Sequence, residues 1–359
     1  MKSIVGLLAR LPGIVEPVHT GMRQRQRRRA VVGSMRRCAG IVAAVAACLP
    51  SAYVGHASAQ EFPNRPIRII VPFPPGGSTD PMARMVAAKL MERWGGTIVV
   101  DNRPGGNTII GSSIVAKSTP DGYTMLWAGA SLFSGPSLMP HIPYDVVKDF
   151  VGVTTVVKTR IVLVVHPSVA ASNLNELIAL AKAKPGQFNY GSSGIGTNVH
   201  LSGASFALVT GVNIRHIPYK GSGPLSTDLV GGRIHMSFQV PITVIPFINA
   251  GKLRAIAITG DARLPVLADV PTFAEAGLPG FGWSAWQGLA APTGTPLSAR
   301  SKVATEMASI LKSPETVDFI ARQGSEPLIA GPNETTALIK ADVERYGKIV
   351  KDANIKWSP

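Results

Sequence analysis

From residue 60 onward the sequence predicts an α/β protein made of two doubly wound lobes, with a hinge and a central ligand cleft. Three observations predict it. Short apolar runs alternate with helically spaced apolar residues, the last quarter of the chain abandons that alternation for helices, and glycine-serine turns recur where strands give way to helices.

In chain order, Ile67 to Val71 is an apolar run beside a Pro/Gly-rich turn, and Met82, Met85, Val86 and Leu90 space a helix over 81–93. The cycle repeats with a strand at 97–100, a helix at 109–117 and a buried strand at 123–128. After a turn-rich passage, strands are expected at 161–165, 214–217 and 253–258, and helices at 174–183 and 225–230. Such alternation implies mostly parallel sheets with helices on both faces. Helices at 296–311, 315–323 and 334–352 then follow one another and need a sheet to cover. The economical arrangement builds the first lobe from 60–159 and 284–359 and the second from 160–283. Two crossings, near Thr159 and Ser284, would let the lobes rotate as rigid bodies.

Residues 1–59 read as a signal peptide. Arg23, Arg25, Arg27, Arg28, Arg29, Arg36 and Arg37 precede an apolar run at 39–47, and Ala57-Ser58-Ala59 offers a small-x-small cleavage site before Gln60. Pro50, His56 and several serines interrupt the run, which argues against a membrane anchor. Met22 or Met35 would also start a leader of ordinary length. The rival to simple cleavage is lipidation at Cys48, since Val45-Ala46-Ala47-Cys48 resembles a lipoprotein box. Either route predicts a periplasmic protein. Nine basic residues and one acidic residue lie in the leader, so the 36 Lys and Arg fall to 27 and the 21 Asp and Glu to 20. The formal charge drops from +15 to +7, which suits an anionic ligand and not nucleic acid. Cys38 and Cys48 both lie in the leader, so a product cut at Ala59 has no thiol chemistry. The remaining chain is long enough to bury two cores.

The richest segment runs from Pro72 through Phe73, Gly76, Gly77, Ser78 and Thr79 to Asp80 and Pro81. Its glycines let the backbone approach a ligand, and the helix that follows offers unpaired N–H groups and partial positive charge. Pro81 suits the first helical position, which makes Asp80 the N-cap, acting alone or also as a partner for a ligand hydroxyl or amine. Tyr190-Gly191-Ser192-Ser193-Gly194-Ile195-Gly196-Thr197-Asn198 and Pro218-Tyr219-Lys220-Gly221-Ser222-Gly223-Pro224 are loops of the same kind. Helix starts aimed at one cleft make an anion site, and a carboxylate is its natural occupant. Lys220 either steers the anion or is a solvated surface lysine, and Trp283 and Trp286 either wall the pocket or pack in the core. His200, His216 and His235 lack metal-site spacing and read as packed histidines. No Gly-x-Ser-x-Gly elbow, phosphate loop or His-Glu-x-x-His pair occurs, so catalysis is disfavoured; a hydrolase and a sensor feeding a membrane signalling protein are the competing readings.

Seven motifs in order carry a family resemblance: Pro72 to Asp80 with Ala83-Arg84, Asn102-Arg103-Pro104-Gly105-Gly106, Pro120-Asp121-Gly122-Tyr123-Thr124, 144–150, Tyr190-Gly191-Ser192-Ser193-Gly194, 216–221, and 269–277. The chain over 62–359 resembles the Bug-type solute receptors, the substrate-binding proteins of tripartite tricarboxylate transporters. That resemblance implies a type 2 periplasmic-binding fold, no cofactor or metal, a monomer, and a two-subunit integral membrane permease as partner. It implies first-lobe contacts from Phe73, Gly76, Gly77, Ser78, Thr79 and Asp80. Second-lobe contacts would come from Ser193, Gly196, Thr197 and Asn198, joined by Tyr219 and Gln239. The ligand is a small carboxylate: a di- or tricarboxylate, or an aromatic or longer-chain acid. Gly129-Ala130-Ser131-Leu132-Phe133 departs from the family's more polar segment. If it borders the pocket, Leu132 and Phe133 favour a ligand less polar than citrate; otherwise they pack beneath the lobe.

Overall fold

Strand β1, Ile67–Val71, is buried on both faces, with Ile69 and Val71 turned to one core and Ile70 to another. That is the period of two of a strand inside a layered fold, and it explains the unbroken apolar run. The computed structural model describes residues 62–281, 283 and 285–357. The leader over 1–59, its cleavage site at Ala57 and Ala59 before Gln60, the cysteines Cys38 and Cys48, and the crossing at Ser284 lie outside the described residues.

From β1 the chain runs through α1 (Thr79–Trp94), β2 (Ile98–Asn102), α2 (Ile109–Ala116), β3 (Thr124–Ala128), α3 (Ala130–Leu138), α4 (Val146–Asp149) and β4 (Phe150–Thr159). It then forms β5 (Val162–Val165), α5 (Leu174–Ala183), β6 (Asn189–Ser192), α6 (Asn198–Thr210), β7 (Arg215–Pro218), α7 (Ser222–Val230), β8 (Met236–Gln239), α8 (Ile245–Asn249) and β9 (Arg254–Ile258). The return is made by β10 (Ala285–Pro292), α9 (Leu297–Ile310), α10 (Pro314–Arg322), β11 (Ser325–Pro327) and α11 (Pro332–Asp352). Helices α1 and α6 stop at left-handed glycines, Gly95 and Gly211, which release the chain without a Cβ clash.

Two sheets result, ordered β11-β4-β10-β3-β1-β2 and β7-β6-β8-β5-β9. The chain leaves the first sheet after Thr159 and rejoins it at Ala285. The expectation of mostly parallel sheets needs correcting. Strand β1 is parallel to β2 and β3, and β6 to β7 and β8, but β10 is antiparallel to β3 and β4, β11 to β4, and β5 to β8 and β9. Parallel neighbours need a crossover helix between them, whereas β4 and β10 are the outgoing and returning passes of one excursion and so run in opposite directions.

The C-terminal helices do cover the first sheet: Val303, Met307 and Ile310 of α9 share a core with Ile67, Met82, Val86 and Leu90, while Ile339 and Tyr346 of α11 share another with Phe133 and Phe150. Helix α3 was hidden in the turn-rich passage because Gly135 and Pro136 punctuate it. No helix among the described residues is long and apolar enough to cross a membrane.

Candidate functional site

Helix α1 begins at Thr79, with Ser78 rather than Asp80 at the cap position. Pro81 is tolerated anywhere in the first turn and so does not mark its first residue. Asp80 is buried and turned back on its own loop: its carboxylate accepts from Arg84 Nε at 3.0 Å, from the Asn102 side-chain amide at 3.0 Å and from the Gly76 N–H at 3.4 Å. Asn102 also donates to the Phe73 carbonyl at 3.1 Å. Burial pushes the Asp80 carboxyl up, but Arg84, Asn102 and Gly76 outweigh it and hold it below the usual carboxylate range. Asp80 therefore braces the loop against β2.

At the start of α6, Thr197 is a full N-cap, its hydroxyl accepting from the His200 N–H at 3.3 Å and donating to the Gly194 carbonyl at 2.7 Å. Gly196 has a φ of +75°, and a Cβ there would fall 2.3 Å from a Leu138 methyl and 2.8 Å from the Ser134 hydroxyl. Its N–H donates to His200 Nδ1 at 3.0 Å and its carbonyl accepts from Ser134 at 2.9 Å. Two stacked imidazoles, His200 and His216 at 3.7 Å between centroids, lie behind this loop, and His216 Nε2 is 2.6 Å from Ser192 Oγ. His235 pairs with Asn189. All three are packed histidines, as expected, and no group of three or more metal-ligating side chains occurs among the described residues.

Between the sheets is a cavity of about 590 Å³. Four helix starts line it: Gly77 to Thr79 for α1, Gly129 to Ser131 for α3, Thr197 to Val199 for α6, and Gly221 to Gly223 for α7. The first turn of each helix carries N–H groups with no carbonyl four residues back, equivalent to about half a positive charge. Lys220 is the one charged side chain among the lining residues, and no carboxylate lines the cavity. An anion is thus favoured by partial charges already built into the backbone.

Of the residues singled out in the sequence, Phe73, Gly76, Gly77, Ser78, Thr79, Ser193, Thr197 and Asn198 line this cavity. Asp80 and Gly196 do not, being turned to the bracing roles above. Tyr219 does not either: its hydroxyl donates to Asp228 at 2.8 Å, and burial together with that carboxylate pushes it up to about 12. Gln239 is fully buried beneath the wall, accepting from the Thr243 hydroxyl at 3.1 Å.

Of the segment Gly129 to Phe133, weighed in the sequence as a possible border of the pocket, Gly129, Ala130 and Ser131 do line the cavity, but that they open a helix was not foreseen, nor were the wall residues Trp127, Val240, Thr243, Phe247 and Gln287. The strand-glycine-helix pattern at Gly129 was the available signal, and Pro136 masked it. Leu132 and Phe133 are buried in the core, Phe133 lying 4.9 Å from the Trp286 ring, so a less polar ligand cannot be argued from them. Trp286 lines the cavity and Trp283 sits in the core.

The sequence profile of the tripartite tricarboxylate transporter family receptor matches residues 82–355. The chain belongs to this family. The receptor is 40% identical to protein BugT of Bordetella pertussis over 329 residues, 91% of this chain and 97% of BugT. Among solved structures it is similar to Rhodopseudomonas palustris Rpa4515 with adipate, at 34% identity and a TM-score of 0.77 over 82% of this chain and 99% of that one. The periplasmic binding protein BugD matches at 32% identity and a TM-score of 0.73, again over 82% and 99% of the two chains. The receptor has the mixed α/β fold of periplasmic solute-binding proteins.

Proposed function

We propose that this receptor captures a small carboxylate in the periplasm and hands it, chemically unchanged, to a two-subunit integral membrane permease. One observation carries the reading: four helix starts and Lys220 converge on a single cavity that contains no acidic side chain. The adipate held by Rpa4515 supports it. The ligand is held by backbone N–H groups at Gly77 to Thr79, at Gly129 to Ser131 and at Asn198, with the hydroxyls of Ser78, Thr79 and Ser193 beside them. Asp80, Gly196, Tyr219 and Gln239 keep these loops in place.

The lobes are 60–159 with 284–359 and 160–283, and the two crossings near Thr159 and Ser284 act as the hinge, a reading supported by the chain leaving the first sheet after Thr159 and rejoining it at Ala285. Cleavage before Gln60 releases the exported form, which works as a monomer without cofactor or metal. The test is a panel of carboxylates titrated against the purified receptor by thermal shift and calorimetry. Binding raises the melting temperature by mass action, and the acid is recovered intact. Steady product formation, or no response to any carboxylate, overturns the proposal.

A further inference from the structure

We propose, resting on the carboxylate reading of the cleft, that Ser226 is a specificity-determining residue whose hydroxyl hydrogen-bonds a hydroxyl carried by the ligand's carbon body.

Ser226 lines the cavity as the fifth residue of α7, and only 7% of it is exposed. Leu225 and Leu229 seat α7 on a core shared with Val162 and Val164 of β5 and Ile258 of β9. Ser226 lies about 100° round the helix from Leu225, and so on the cavity side of that packing. A helical serine or threonine can return its hydroxyl to the carbonyl four residues back. Ser202, Thr210, Thr227 and Thr336 do so, at 2.7, 2.6, 3.2 and 2.7 Å. The Ser226 hydroxyl makes no such bond, nor any other among the described residues. Other polar side chains on the wall are anchored to the protein: the Trp127 indole N–H donates to Gln287 Oε1 at 2.8 Å, the Gln287 amide to the Thr159 hydroxyl at 3.1 Å, and Thr243 to the Val240 carbonyl at 2.7 Å. Ser226 is left with its whole hydrogen-bonding capacity for whatever fills the cleft.

Its place on the helix sets the kind of group it meets. The unpaired N–H groups that attract an anion belong to the first four residues of a helix, so at the fifth the backbone N–H is spent inside α7. What Ser226 offers is one neutral hydroxyl that both donates and accepts. A carboxylate is served better at the helix starts, whereas a ligand hydroxyl matches both capacities. A bare methylene in the same place expels water from Ser226 and leaves a buried hydroxyl unpaired, which disfavours the unhydroxylated acid by about fivefold to fiftyfold.

The decisive experiment compares acids of equal charge and carbon skeleton on the purified receptor by calorimetry: succinate against each stereoisomer of malate and tartrate, and adipate against galactarate. At least one hydroxylated acid is expected to bind about fivefold to fiftyfold more tightly than its parent. Ser226→Ala is expected to weaken that acid by the same factor and to leave the parent within about twofold, whereas a merely structural role would weaken both alike. Ser226→Cys, which keeps the size and gives up most of the hydrogen bond, makes the same comparison if the alanine variant does not fold. Two results overturn the assignment and leave the carboxylate reading standing: no hydroxylated acid binding more tightly than its parent, or a preference that persists unchanged in a folded variant. Should no acid of either series bind, both fall.

Discussion

The indole N–H of Trp283 donates to Oδ1 of Asn198, tying the segment that returns to the first sheet to the first residue of α6. With its oxygen committed, the Asn198 amide is left with its NH₂ as the group free to meet an anion in the cleft. Asn198→Asp keeps an oxygen for Trp283 but turns a second, charged oxygen toward the ligand. Carboxylate binding is expected to fall at least a hundredfold, against about tenfold for Asn198→Ala, with little change in melting temperature. Calorimetry on both variants checks this; equal losses would mean that Asn198 contributes no oriented donor.

Two glycines in the cleft loops should respond in opposite ways. A Cβ at Gly77 meets only the Pro74 carbonyl at 3.8 Å, so Gly77→Val should fold normally while its branched side chain blocks the approach to α1 and abolishes binding. Gly196→Ala instead meets Leu138 and Ser134 in a left-handed backbone. It should cost about 1–3 kcal/mol of stability before any effect on ligand. Urea unfolding and titration of each variant separate the two outcomes.

The stacked histidines make stability pH-dependent. Burial pushes His216 down to about 4, and burial with the charge of His216 pushes His200 down to about 3. The unfolded chain takes up these protons near 6.5, so between about 6.5 and 4 it binds more protons than the folded protein. Stability is therefore full above about pH 6.5 and falls as pH drops toward 4, by up to about 1.4 kcal/mol per pH unit for each imidazole. Urea midpoints at pH 7 and 4.5 should show the loss, and His216→Gln should lessen it while leaving the share due to the burial of His200.

Lys220 is exposed at the rim of the cleft. Lys220→Ala should weaken binding by no more than about fivefold, with the loss shrinking at high salt, as for other exposed charges. A larger loss than that of Ser78→Ala, persisting in salt, would make a direct ion pair the main anchor in place of the helix starts.

Because the helix starts come from both sheets, ligand should draw them together. Small-angle scattering is expected to give a smaller radius of gyration with saturating carboxylate. An unchanged radius at full occupancy would remove the clamp while leaving the binding site.

The sequence alone determined the elements whose signals are local. Runs such as Ile67–Val71 and Val162–Val165 are buried on both faces and so read as strands. Glycines ahead of α1, α6 and α7 marked the loops that reach the cleft, and ordered motifs identified the family. Tertiary structure decided what each polar group in those loops faces. Asp80 looked like a cap or a ligand contact until Asn102, 22 residues on, claimed it, and Asn198 acquired a fixed orientation only from Trp283, 85 residues away. Thr197 spends its hydroxyl on Gly194 and His200, and Leu132 and Phe133 turn inward because α11 and Trp286 cover them. The direction of β10 likewise follows from the chain's return past β4 and from nothing in its own residues. Local periodicity reports how a segment meets an apolar layer, whereas the choice between ligand and protein as partner depends on which distant donor or acceptor folding brings within about 3 Å.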